Sequence, residues 1–385
     1  MDVSTRLRNL SKFMALEPES ENECIETTMR NPKDRALNVF YPASPNGASF
    51  RLLKTLLTSA CERDCFYCPF RAGRDYRRIT LRPHEMAQAF MAMHSAGIVK
   101  GLFLSSGIAG GRNRSQDLLI DTAEILRRKY EFKGYIHLKI MPGAEHAQVE
   151  RLMQLADRIS INLEAPNSHR LEGLAPHKDF QRELIQPLRW ASEIRKHVSP
   201  QPSFNRRWPS LTTQFVVGAV GESDLELLQT TEHLYRDLGL KRSYFSAFKP
   251  VPGTPLENLP PASHVRQQRL YQASFLLRDY GFGLEDLPFE DTGDLPLGED
   301  PKLAWARINL AEEPVEIIRA DQPTLLHIPG IGPKGAREII NARSQGNIRQ
   351  ASDLRRLGVQ VERALPYILI DGRRPSQQLS LWPGV

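Results

Sequence analysis

Three of the four cysteines in this 385-residue chain fall within eight positions, in the run Cys61-Glu62-Arg63-Asp64-Cys65-Phe66-Tyr67-Cys68. Three thiolates on one short loop can each bind one iron of a cubic 4Fe–4S cluster and leave the fourth iron without a protein ligand, a position open to chemistry. A structural zinc site is the competing reading. It would want a fourth ligand from a matching pair, and none lies nearby in the sequence. Four cysteines in a chain of this length exclude a disulfide scaffold, so metal or catalytic use leads.

The elements that must carry this loop are legible from the alternation of short β-rich runs with amphipathic helical stretches. Strands are expected over Phe50–Leu57, Lys100–Leu104, Gly134–Ile140, Arg158–Leu163, Leu211–Val217 and Arg242–Phe248, and helices over stretches such as Pro83–Ser95, Gln116–Tyr130, Ala147–Ala156 and Ser223–Leu238. Repeated β-α units predict an α/β fold, a parallel sheet closed or partly closed into a (β/α)6 TIM-like barrel. In such a barrel the chemistry sits at the carboxyl ends of the strands, and the cysteine loop directly follows the first one. The stretch Leu287–Asp300 is rich in Pro, Gly and acidic residues, as a connector would be. Organisation is therefore expected as an N-terminal extension at 1–47, the barrel at 48–290, a connector at 291–320, a small all-α domain at 321–372 and a flexible tail at 373–385. From Asp321 onward nine Lys and Arg face five Asp and Glu, so this short segment holds +4 of the formal +6. An anionic partner would suit it.

The cysteine spacing, with an aromatic residue, Tyr67, before the last cysteine, resembles the signature of the radical S-adenosylmethionine (SAM) superfamily, over about residues 48 to 260. The resemblance implies a partial barrel, a 4Fe–4S cluster on Cys61, Cys65 and Cys68, and SAM chelated by the open iron and cleaved to a 5′-deoxyadenosyl radical. Leu102-Phe103-Leu104-Ser105-Ser106-Gly107 stands where the family's Gly-Gly-Glu segment meets the methionine amino group, two serines replacing its first residues. There Gly107 would permit close approach of the ligand. Asn162 and Glu164, ending the fourth predicted strand, would bond a ribose or else cap the following helix. Phe215–Glu222 resembles the segment that packs on adenine, and Ala247–Pro255 the loop closing the sixth strand. Lys139, and Arg71, Arg74, Arg77 and Arg78 beside the cysteines, would bind the SAM carboxylate or a substrate phosphate, or else form a solvated face. Cys24 is either an inert free thiol or a hydrogen-atom donor to a product radical.

Leu325–Ile340 reads as two short helices joined by Ile328-Pro329-Gly330-Ile331-Gly332, with Pro333 in the first turn of the second helix. The glycines allow a tight bend that presents bare N–H groups and a helix start to an anion, next to Lys334 and Arg337. The pattern resembles the helix-hairpin-helix motif, which implies DNA held by its sugar-phosphate backbone. A hairpin that only packs on the barrel is the alternative. Gln378-Leu379-Ser380-Leu381-Trp382 resembles the peptide with which bacterial repair proteins dock on the DNA sliding clamp, with Trp382 in place of the usual Phe. Together the halves resemble a bacterial group of DNA modification or repair radical SAM proteins. The expected function is radical repair or modification of a DNA nucleotide. An RNA-modifying enzyme and a non-catalytic DNA-bound redox sensor are the alternatives. No apolar run is long enough for a membrane helix, and the N-terminus lacks a signal-peptide core, so a cytoplasmic protein without membrane contact is expected.

Overall fold

The computed structural model describes residues 1–14, 39–40, 50–111 and 113–375, with backbone alone at 39–40. Seven strands form one sheet in sequence order: β1 (Val39–Phe40), β2 (Leu52–Leu56), β3 (Gly101–Ser105), β4 (Tyr135–Lys139), β5 (Arg158–Glu164), β6 (Ser210–Val217) and β7 (Arg242–Ala247). The two-residue β1 lies antiparallel on β2, and every later neighbour is parallel. β2 to β7 make the expected six-stranded partial barrel, to within two residues of the expected limits. The alternation along these strands has a physical cause. Leu102, Leu104, Leu138, Ile159 and Ile161 are fully buried, as required of the face that helices cover. The opposite face carries Lys54, His137, Lys139, Ser160, Thr212 and Gln214, all nearly or fully buried. A sheet that buries polar groups on its inner face is built to hold something there.

Helix Pro83–Ser95 starts where expected, with Pro83 in its first turn and the Glu85 carboxylate accepting from the Arg82 N–H at 2.8 Å. The predicted Gln116–Tyr130 helix is Arg114–Glu124 continued by a wide π turn, Ile125–Lys129. Part of the stretch read as an N-terminal extension belongs to the barrel unit: in helix Val3–Phe13 the Ser11 hydroxyl donates to the Lys54 carbonyl, and Arg6 pairs with Glu85 at 2.7 Å.

The chain divides into two compact units, Met1–Glu222 with His233–Gln267, and Ser223–Glu232 with Gln268–Val385. The boundary thus departs from the expected one near 290 to 320. Segment Ser223–Glu232 joins the second unit because the Asp224 carboxylate accepts from the Leu295 N–H at 3.0 Å and Leu225 N–H donates to the Gly293 carbonyl at 2.9 Å. Residues 291–320 are not a connector. They contain helix Pro301–Asn309, and Ala306, Leu310 and Ile317 share a core with Leu325, Ile339 and Leu354. Nor is this unit all-α: β8 (Val315–Glu316) pairs in parallel with β9 (Ile368–Leu369). Cys24 and the Gln378–Trp382 peptide lie outside the described residues. No helix among the described residues is long and apolar enough to cross a membrane.

Candidate active site

The cysteine loop leaves the carboxyl end of β2 and is pinned at its base, where Ser59 N–H donates to the Ile79 carbonyl and Leu81 N–H to the Leu57 carbonyl, both at 2.9 Å. Within it, the Arg78 guanidinium collects the carbonyls of Ser59, Phe70, Arg71 and Arg74 at 2.6 to 3.2 Å and lies 3.9 Å from the Tyr76 ring centre. Arg74 donates to the carbonyls of Pro69 and Pro252, and Arg71 to that of Asp64. These three arginines are therefore neither a solvated face nor free to bind a phosphate. Their planar forks hold an irregular loop whose carbonyls have no strand partner. Arg77 is exposed. From the other side, Arg63 pairs with Glu183 at 2.6 Å, and Phe66 N–H donates to the Leu174 carbonyl at 2.7 Å.

The loop closes one wall of a cavity of about 250 Å³, to which it contributes Cys61, Cys65, Tyr67 and Cys68. The ends of β3, β4 and β5 contribute Ser105, Ser106, Gly107, Lys139, Asn162 and Glu164. Residues scattered over a hundred positions thus line one space at the carboxyl ends of the strands. Gly107, on the cavity wall, is also fixed by packing against the loop. Its N–H donates to the Thr58 carbonyl, and a Cβ there would stand 2.1 Å from the Ala60 carbonyl oxygen. The close approach that requires glycine here is to the segment leading into Cys61.

Lys139 Nζ donates to Asn162 Oδ1 at 2.5 Å. Glu164 follows a register shift in the β5–β6 ladder, adopts φ +67° and is 3% exposed. It caps no helix: Oε1 accepts from Lys178 Nζ at 3.1 Å, and Oε2 is buried with no hydrogen-bond partner. A left-handed backbone at a buried glutamate stores strain, a cost that aims this carboxylate into the cavity. Lys178 was not foreseen in the sequence. Burial works against its charge, but the neighbouring Cys65 and Glu164 outweigh burial and raise its pKa. Burial pushes the Cys65 thiol up, with Lys178 pulling the other way, and pushes Cys68 far above the ordinary range, reinforced by Cys65. Burial and then the Glu164 charge likewise raise the Tyr67 phenol. Gln214, also unforeseen, presents a second orphaned acceptor to the same cavity, Oε1.

Three cysteines, a buried glutamate and a buried lysine thus line one cavity of a partial α/β barrel. The donor set fits a 4Fe–4S cluster, because the three free thiols of one loop line one cavity and can each take one iron. The buried Glu164 Oε2 lacks a donor, which the hydroxyls or ammonium of SAM possess. Residues 55–233 match the family model of the Radical SAM superfamily, a family that uses a 4Fe–4S cluster and SAM. It is similar to a tRNA-2-methylthio-N(6)-dimethylallyladenosine synthase of Saccharophagus degradans, 21% identical over 221 residues, 54% of this chain and 45% of that one. It is also similar to the uncharacterised protein MJ0785 of Methanocaldococcus jannaschii, 24% identical over 224 residues, 55% of this chain and 53% of that one. The chain spans about half the length of these curated relatives. Among solved structures, methylornithine synthase superposes with a TM-score of 0.46 at 14% identity, over 72% of this chain and 76% of that one.

The second unit holds the other candidate residues. Helices Gln322–His327 and Pro333–Ser344 are joined by a five-residue turn. Gly330 has φ +82°, and a Cβ on it would stand 2.3 Å from the Gln360 carbonyl oxygen, so turn and packing both demand glycine. Gly332, extended, precedes the second helix, and Lys302 Nζ draws the Ile331 carbonyl inward at 2.6 Å. Lys334 and Arg337 are exposed on the first turns of that helix, and neither makes an ion pair among the described residues.

Proposed function

We propose that this chain is a radical SAM enzyme that repairs or modifies a nucleotide of DNA, the second unit gripping the sugar-phosphate backbone. The observation that carries the reading is the Ile328–Gly332 turn, which leads into a 12-residue helix bearing unpaired Lys334 and Arg337. Such a start offers backbone N–H groups and positive charge to a phosphate, in the manner of the helix-hairpin-helix it resembles. Cys61, Cys65 and Cys68 would hold the cluster, which with SAM would supply radical chemistry for removing a hydrogen atom from substrate. The chain's own part is to hold the loop through Arg63 and Arg78, to orient SAM through Glu164 and Lys178, and to screen the site from water beneath Tyr67. A base inside a duplex would have to be extruded first, at a cost of a few kcal/mol that is least for a damaged base.

The test is anaerobic reconstitution with SAM and reductant, scoring 5′-deoxyadenosine and altered nucleosides against intact duplexes, damaged duplexes and tRNA. DNA-dependent turnover supports the reading. The tRNA-modifying activity of the Saccharophagus degradans relative favours a second reading, RNA modification, and turnover on tRNA alone would establish that instead. Lys334→Ala with Arg337→Ala should weaken DNA binding alike for all sequences and lower the salt slope by about 2. Docking on a sliding clamp through Gln378–Trp382 belongs to the same proposal and is checked by loss of clamp co-elution on deleting those residues.

A further inference from the structure

We propose that Gln214 reads the substrate, and that what it reads is the hydrogen-bonding edge of a nucleobase. The argument rests on depth. The cysteine loop and Lys178 sit with Glu164 at the carboxyl ends of the strands, where a cofactor held by three thiols must lie. Asn162 pairs with Gln214 in the ladder, and the register shift pairs Glu164 with Phe215, so Gln214 lies one residue, about 3.3 Å of strand, below the level of Glu164. Gln214 therefore belongs to the floor of the cavity, one tier below the carboxylate that faces SAM. A group attacked by a radical formed at the upper tier has to lie between that tier and the floor.

The floor is not uniformly available. Lys139 and Asn162 bond each other, so the lysine charge and the Asn162 oxygen are already engaged. Gln214 is 4% exposed, yet its Oε1 has no hydrogen-bond partner. Leaving a buried carboxamide oxygen unbonded costs about 1–3 kcal/mol, a penalty that a ligand donor removes. A carboxamide is planar and sets one acceptor beside two donors. Its complement is a planar edge with a donor next to an acceptor, which is what a nucleobase presents and what a phosphate or an aliphatic chain lacks. An unbonded carboxamide can also turn over, so that the neighbouring Asn162, locked by Lys139, fixes the floor while Gln214 adapts. The planar donor–acceptor edge follows from Gln214, and its identification as a base of DNA rests on the function proposed above.

The experiment uses the reconstituted holoenzyme with saturating SAM and measures binding of the four deoxynucleosides and the four ribonucleosides by ligand-observed NMR. At least one nucleoside should bind, and Gln214→Leu should weaken it tenfold or more, a larger factor than any loss of SAM affinity in the same variant. Gln214→Glu, nearly isosteric and expected to fold, keeps the acceptor and loses the donor, so the order of preference among the nucleosides should change. Nucleosides that do not bind the wild type, an unchanged order in Gln214→Glu, or an equal loss of SAM affinity in Gln214→Leu would each overturn the proposal. Nucleoside binding that depends on Gln214 without DNA-dependent turnover would keep this assignment and reject DNA as the substrate, with preference for ribonucleosides pointing to RNA.

Discussion

Replacing Lys178 by methionine tests whether the buried Lys178–Glu164 pair organises the cofactor pocket. The two side chains are 7% and 4% exposed and 3.1 Å apart, and the second carboxylate oxygen of Glu164 already lacks a partner. Lys178→Met leaves an uncompensated charge in that space, a change that costs about 3–5 kcal/mol when one member of a buried pair is removed. An isolated carboxyl has an escape, since it can take a proton. At pH 7 that costs about 4 kcal/mol for an ordinary glutamate, and at pH 5 about 1 kcal/mol. The loss should therefore approach 3–4 kcal/mol at pH 7 and shrink to about 1 kcal/mol at pH 5, because the variant's folded state binds the proton more readily than its unfolded state and loses stability as pH rises. The double variant Lys178→Met, Glu164→Gln should recover about 2 kcal/mol at pH 7, the coupling expected of residues in direct contact. Urea unfolding of the cluster-free protein under anaerobic conditions reads all of these. A loss below about 1 kcal/mol at pH 7, or one independent of pH, would show that water reaches the pair and that Glu164 is not held against the cavity by a buried charge.

Alanine at Cys61, Cys65 or Cys68 should each reduce bound iron from about four per chain to a small fraction, read by iron analysis and by loss of the cluster's visible absorption. Gly107→Ala puts a methyl 2.1 Å from the Ala60 carbonyl, so it should destabilise by about 1–3 kcal/mol and lower cluster loading by displacing the strand that leads into Cys61, with SAM affinity measured in the residual holoenzyme falling in parallel. In the second unit, burial lowers the pKa of Lys302 to about 7, with Arg363 adding to the shift. The folded chain then binds fewer protons there than the unfolded chain between about pH 7 and pH 10, so stability rises with pH across that window. Lys302→Met should lack this rise, which urea midpoints at pH 6.5 and 9 would detect.

The barrel was legible because its outer face obeys a simple rule. Strands covered by helices on one side must show apolar residues at every second position, and Leu102, Leu104, Ile159 and Ile161 do so whatever fills the interior. The cysteine triplet was legible for a different reason, since ligands on one loop keep their spacing in the sequence. What the sequence concealed is whatever depends on two distant segments meeting. Lys178 lies in an irregular stretch with no periodicity, and only its approach to Glu164 and Cys65 gives it a role. Gly107 lines the cavity as its motif suggests, but its need for glycine comes from Ala60, on a different strand connection.

The arginines carry the same lesson with the opposite sign. Four of them within eight positions beside a cofactor loop suggest an anion site, since charge is the visible property of a sequence. Arg78 has its guanidinium surrounded by carbonyls instead, because a loop wrapped round a cluster makes no ladder and its carbonyls need donors from somewhere. Arginine suits that task better than lysine, for a planar fork reaches several oxygens at once. A basic loop next to three cysteines is thus explained by the geometry of holding them. The search for a substrate phosphate moves to the unpaired cations of the second unit, and the search for a substrate base to the barrel floor at Gln214.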